Sequence, residues 1–154
     1  MRRAIFCNSV KCTGCQICEI VCSVIKENKL NTNLSRIHVV RDDPYIQMAV
    51  TCQLCERAPC VESCPRALAQ SKDGVVSVDM GTHVLCGSCV RACPFGAITM
   101  NSSNIQVCDL CDGKPGCVEH CPKDALIFAS LQDITHSKRS RLIAQLIGEL
   151  SNPE

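Results

Sequence analysis

"KCTGCQICEIVC", Lys11 to Cys22, sets cysteines at positions 12, 15, 18 and 22. Gaps of two, two and three residues gather four sulfurs within a loop and the helix that follows it. Such gaps suit metal ligands rather than disulfide partners. The pattern returns three times. Cys52, Cys55, Cys60 and Cys64 precede Pro65; His83, Cys86, Cys89 and Cys93 precede Pro94; Cys108, Cys111, Cys117 and Cys121 precede Pro122. An alanine and an apolar residue follow each proline at Ala67-Leu68, Ala97-Ile98 and Ala125-Leu126. An internal repeat of this kind governs any reading of the fold. Two departures stand out: Ser23 replaces the proline in the first group, and His83 replaces the first cysteine in the third.

Composition points the same way. Sixteen of 154 residues are cysteine, while one Tyr, three Phe and no Trp leave few large side chains for a core. Buried inorganic clusters are expected to fill that volume and crosslink the chain, so folding should depend on metal. Arg2 and Arg3 are not followed by the apolar stretch of a secretory signal, which makes a reducing, cytoplasmic location the expectation. No apolar run approaches the roughly 18 residues of a membrane helix. The formal charge is +1, but binding fifteen thiolates to iron would carry the loaded protein well below zero. No basic stripe with interleaved aromatics suggests nucleic acid.

Four soft thiolates around a cubane fit the x2-x2 spacing, because one loop can wrap three corners of the core. Zinc could also use four cysteines, or three with one histidine. Zinc ribbons, however, pair distant C-x2-C elements, whereas here the ligands come four to a run and three runs end in Cys-Pro. The groups resemble those of four-cluster ferredoxin-like iron–sulfur subunits, as in dimethyl sulfoxide reductase and formate dehydrogenase complexes. The short fourth group, "CDLCDGKPGCVEHCP", looks closer to small subunits of two enzyme types. One type is the tungsten aldehyde:ferredoxin oxidoreductase family, including class II benzoyl-CoA reductases; the other is carbon monoxide dehydrogenase. The resemblance spans about Ala4 to Ala129.

It implies an α+β, ferredoxin-like fold of two pseudo-symmetric dicluster units, one inserted in the other, with a C-terminal helix. The outer unit would span 1–30 and 105–134 and the inserted unit 46–104, within one body over 1–134; the helix would cover 135–154. It also implies nested ligand sets. Cys12, Cys15, Cys18 and Cys121 would hold one cluster, and Cys108, Cys111, Cys117 and Cys22 its neighbour. Cys52, Cys55, Cys60 and Cys93 would hold a third, and His83, Cys86, Cys89 and Cys64 a fourth.

Three readings of His83 remain open. It replaces a thiolate on a fourth [4Fe-4S] cluster, it completes a three-cysteine zinc site beside three clusters, or it binds nothing. Cys7, the odd cysteine, reads as a small buried apolar residue. His38, His120 and His136 have no ligand-type neighbours in register, and Lys11, Arg66 and Lys123 read as solvated charges beside the clusters.

Short strands are expected at Ala4–Cys7, Ile37–Val40, Ile46–Thr51, Val75–Val78, Ile98–Met100, Ile105–Val107 and Leu126–Ala129. A helix is expected from about Cys15 to Asn28, with Ile17, Ile20, Val21, Val24 and Ile25 on one side. Helical turns should span Gly87–Ala92 and Val118–Cys121. A last helix from Thr135 to Leu150 would carry an apolar face of Leu142, Ile143, Leu146, Ile147 and Leu150.

No nucleotide-binding glycine motif or nucleophile–base pair is present, and four clusters leave little chain for a substrate site. The expected role is an electron-transfer subunit without catalytic residues of its own, as in anaerobic metabolism. It would work between a large catalytic subunit, of tungsten, molybdenum or carbon monoxide dehydrogenase type, and a ferredoxin or other carrier. A free-standing polyferredoxin is the alternative.

Overall fold

The structure, a computed structural model, describes residues 2–42 and 46–150, with side chains as far as residue 140. The chain opens on β1 (Arg3–Cys7), which pairs antiparallel with β8 (Leu126–Ser130), so that Arg3 faces Ser130 and Cys7 faces Leu126. The start of the chain is thereby tied to the segment just after the fourth cysteine group. Between them lie three more two-stranded antiparallel sheets. These are β2 (Ile37–Asp42) with β3 (Ile46–Thr51), β4 (Leu68–Gln70) with β5 (Val76–Val78), and β6 (Thr99–Met100) with β7 (Ile105–Gln106). All seven expected strands are present within two residues at each end, and β4 is additional.

Each cysteine group leads into a helix: α1 (Ile17–Glu27), α2 (Pro59–Glu62), α3 (Ser88–Ala92) and α4 (Gly116–Glu119). α1 packs on α4 and α2 on α3. The first pair is close because α4 begins with Gly116, over which the side chains of Val21 and Ile25 lie. A side chain at Gly116 would meet them.

The most buried side of α1 is not its apolar stripe. Ile17, Ile20, Val24 and Ile25 are exposed, whereas Cys18, Glu19, Cys22 and Ser23 are buried. The sulfurs take the most buried face, Val21 and Ile25 pack over Gly116 at its edge, and Ile17, Ile20 and Val24 face outward. The core shows the same priority. Seven cysteines are buried (18, 22, 52, 60, 89, 108 and 117), and the only apolar side chains among the largest fully buried ones are Ile5, Ile37 and Ile98.

The last helix, α5 (Leu131–Leu150), starts four residues earlier than expected and packs chiefly on β8. The apolar face expected at Leu142 to Leu150 lies outside the described side chains. No described helix is long and apolar enough to cross a membrane.

Candidate metal centres

The four groups fold their first loops alike. The residue two beyond the first ligand position is left-handed in every one: Gly14 (φ 64°), Leu54 (50°), Leu85 (46°) and Leu110 (61°). Glycine adopts this conformation freely, but a leucine is strained there by about 1–2 kcal/mol. The strain turns an N–H inward. The Leu54 amide lies toward the Cys52 sulfur and the Leu110 amide toward the Cys108 sulfur, each lowering its thiol's pKa against the larger effect of burial. In the third loop the Leu85 amide donates to Nδ1 of His83 at 3.2 Å. The imidazole nitrogen there meets the amide that faces a sulfur in the second and fourth loops.

Third and fourth ligand positions sit four residues apart on or just beyond a helix, a spacing that puts both on one side of it. Each helix thus serves two cavities. One cavity is lined by Cys12, Cys15, Cys18 and Cys121, together with Val39, Ala49 and Leu126. A second gathers Cys22, Cys108, Cys111 and Cys117. A third gathers Cys52, Cys55, Cys60 and Cys93, and a fourth Cys64, His83, Cys86 and Cys89. Among the described residues no three His, Cys, Asp or Glu side chains converge closely enough to hold a single metal ion. Four soft donors arranged around one shared space are the ligand chemistry of a cubane.

The repeated alanine also has a structural part. The Ala67 amide donates to the Cys64 sulfur and the Ala125 amide to the Cys121 sulfur, both at 3.3 Å. At Cys22 the donor is the Arg36 amide, also at 3.3 Å. Proline turns the chain back so that the alanine amide returns to the sulfur. Where Ser23 stands instead, the helix runs on and a distant residue supplies the amide.

Burial pushes the Cys18 thiol up to about 12 and the Cys52 thiol up to about 11, and raises Cys117 as well. Cys64 and Cys86 lie at the opposite extreme. Both are shifted down: Cys86 by the Ser88 hydroxyl, 3.4 Å away, and Cys64, against its slight burial, by the Arg66, Ala67 and Leu68 amides. Cys86 and Cys15 are the exposed cysteines, so the cavities containing them open most directly to solvent.

Several contributors carry no sequence signal. Glu19 is buried, and its Oε1 accepts the Val39 amide at 2.7 Å, fixing the wall of the first cavity. Asp109 accepts the Cys111 amide at 3.1 Å and pairs with Lys26 at 2.6 Å. Burial pushes the Asp109 carboxyl up, but Lys26 and that amide hold it below the usual range. His120 Nδ1 lies 3.0 Å from the Gly116 carbonyl and outside every cavity lining. Arg66 and Lys123 line cavities while remaining exposed.

Residues 44–131 match the family described as 4Fe-4S dicluster domain. The putative electron transport protein YsaA of Escherichia coli (strain K12) is 35% identical over 94% of this chain and 99% of its own. The polyferredoxin-like subunit of aliphatic sulfonate oxidoreductase from Pyrococcus furiosus is 41% identical over 72% of this chain and 66% of its own. The putative oxidoreductase AegA of E. coli (strain K12) is 37% identical over 94% of this chain, which spans 25% of that longer protein. Among solved structures, a chain of the active site complex BamBC of benzoyl coenzyme A reductase, in complex with zinc, matches at 25% identity and a TM-score of 0.50. That match covers 95% of this chain and 97% of the other. Cysteine spacing, the repeated loop and these relatives converge: the chain belongs to the 4Fe-4S dicluster family of iron–sulfur electron-transfer proteins.

Proposed function

We propose that the chain is the electron-transfer subunit of a larger oxidoreductase, relaying single electrons through four [4Fe-4S] clusters between a catalytic subunit and a ferredoxin or similar carrier. The ligand sets are Cys12, Cys15, Cys18 and Cys121; Cys22, Cys108, Cys111 and Cys117; Cys52, Cys55, Cys60 and Cys93; and Cys64, His83, Cys86 and Cys89. The carrying observation is that each cavity gathers one such set, including a member from a distant group. The packing of α1 on α4 and of α2 on α3 supports two dicluster units, the second inserted in the first. Bound in these cavities, the clusters supply one-electron oxidation and reduction. The chain's own part is to present thiolates, aim backbone N–H groups at them and limit water, the levers that set each potential.

His83 is the fourth cavity's ligand in this reading. Its loop keeps the strained left-handed residue of the sister loops, and its ring lines the fourth cavity beside Cys64, Cys86 and Cys89. A catalytic partner of tungsten, molybdenum or carbon monoxide dehydrogenase type follows from the resemblance of the cysteine groups. Relatives named as a polyferredoxin-like subunit and as part of an active site complex support a larger redox assembly. Protein purified without oxygen should be brown and hold about sixteen iron and sixteen labile sulfide per chain. About twelve iron with one zinc would remove only the His83 cluster; zinc without labile sulfide would overturn the whole reading. If the face Leu142, Ile143, Leu146, Ile147 and Leu150 is the interface, truncation after Thr135 should weaken a native complex with the large subunit. A monomer in native extract would count against that partner.

A further inference from the structure

Charge is not shared evenly among the four cavities. Among the described residues, the fixed charges of the first and fourth walls are Lys123 and Arg66, both exposed, and the third wall has none. The second wall carries Lys26, Arg36 and Asp109. Lys26 reaches it from the last turn of α1 and pairs with Asp109 at 2.6 Å. Asp109 in turn accepts the Cys111 amide at 3.1 Å, so the pair ties α1 to the loop that carries Cys108 and Cys111.

The two partners differ in their exposure to water. The Lys26 side chain is 17% exposed and the Asp109 side chain 49%. Water screens the carboxylate more than the ammonium, so their fields do not cancel within the cavity. The amine carries its proton at neutral pH. Arg36 is the wall's other cation, but Glu27 at 2.6 Å and the Leu34 carbonyl at 3.3 Å take up its guanidinium, and the Glu27 side chain is only 27% exposed. That pair is closer to self-compensation.

We infer that Lys26 is a tuning residue of the second cluster: its ammonium, anchored by Asp109 at the cavity wall, favours the reduced state and raises that cluster's midpoint. One-electron reduction adds one negative charge to a cluster, and a fixed positive charge in a poorly hydrated wall stabilises it. The inference rests on the proposed set of Cys22, Cys108, Cys111 and Cys117, and adds to it a residue that binds no iron.

The test uses loaded full-length protein and redox titrations followed by electron paramagnetic resonance, with iron analysis of each sample. Cys111→Ala identifies the signal by perturbing one cluster. Lys26→Met keeps the apolar stem and removes the charge. It should keep the wild-type iron count and lower that midpoint by more than any other. Lys26→Arg keeps the charge and should hold the midpoint near the wild-type value. Asp109→Asn keeps an acceptor for the Cys111 amide and removes the opposing charge, so it should raise the same midpoint. A purely structural link would not give shifts of opposite sign.

Unmoved midpoints in both Lys26→Met and Asp109→Asn, with Cys111→Ala still perturbing its cluster, would overturn the tuning role and leave the ligand sets standing. Loss of iron in Lys26→Met and Lys26→Arg alike would overturn it in favour of a structural link. A Cys111→Ala variant with every iron signal unchanged would overturn the ligand assignment itself.

Discussion

Ser23 shows how one residue reshapes a repeat. The equivalent positions after the other fourth cysteines are Pro65, Pro94 and Pro122, and their helices last four or five residues. Ser23 is fully buried; its hydroxyl donates to the Ile20 carbonyl and accepts the Asn31 amide, and α1 continues to Glu27. Ser23→Pro should therefore cost about 3 kcal/mol or more, because an interior proline removes a helix hydrogen bond and clashes with the preceding turn. Thermal unfolding of the loaded protein should show it as a large fall in Tm, and an unchanged Tm would refute the account. At His83 the potential decides. Imidazole is neutral, so its cluster carries one negative charge less than an all-cysteine neighbour, and the exposure of Cys86 acts in the same direction. One effect opposes them. A nitrogen lone pair cannot serve both iron and the Leu85 amide, whereas sulfur can accept an amide while ligated. We expect the charge to prevail and this midpoint to be the highest of the four. His83→Cys should keep the iron count and lower one midpoint; His83→Ala should lose one iron and give a three-iron signal. If neither changes an iron signal, His83 is not an iron ligand. The ligand pattern was legible in the cysteines, but the left-handed Leu54, Leu85 and Leu110 were not. Leucine carries no sign of that conformation, which only Gly14 announces.

Elements differ in how far their own sequence specifies them. The strands were readable because alternation and bounding turns are local signals. α2 and β4 were not, since four helical residues give no periodicity and three strand residues are defined only by their partner, β5. In α1 the branched residues were readable as a stripe, but not its direction, because the pull of four sulfurs on the opposite side lies outside a hydrophobic pattern. The start of α5 is the case most open to experiment. Ser130 and Asp133 form a reciprocal cap: the Ser130 hydroxyl and amide donate to Asp133 Oδ2 at 2.7 and 3.1 Å, and the Asp133 amide donates to the Ser130 hydroxyl at 3.2 Å. This serine–acid pair, three residues apart, is what moves the helix start from 135 to 131. Ser130→Ala should destabilise the helix end by about 1 kcal/mol, seen as faster hydrogen exchange in its first turn. The Ser130 hydroxyl and amide hold the Asp133 carboxyl below its ordinary value of 3.8. A depressed carboxyl contributes above its unfolded pKa and is lost only as pH falls through the folded one. Asp133→Asn should accordingly speed exchange to the same extent between about pH 6 and 9, where the carboxylate is ionised throughout. An effect that varies across that range would show that another group titrates in the cap.

At the scale of the whole molecule, the core interleaves sulfur-lined cavities with small and branched apolar side chains. The scarcity of aromatics made that legible, whereas the way each cavity borrows a ligand from a distant group rests on resemblance and on the folded chain. Such a core has two opposite dependences on pH. Without metal, burial holds the Cys52 and Cys18 thiols up to about 11 and about 12, against an ordinary 9.0. Raised pKa values favour the folded form below the unfolded value, and that contribution is lost as pH rises towards the folded one. Any residual fold of the metal-free chain should therefore weaken between about pH 9 and 12. With metal bound, iron takes the place of those protons, and it is acid, by returning protons to the ligands, that opposes it. Removing iron with a chelator under reducing conditions should abolish most cooperative unfolding at neutral pH. Raising the pH from about 7 to about 10 should then lower the remaining ellipticity of the metal-free chain while leaving the loaded protein folded. A metal-free chain that unfolds cooperatively at the temperature of the loaded protein would show that its apolar residues suffice for the fold. The cavities would then be preformed holders rather than the source of stability.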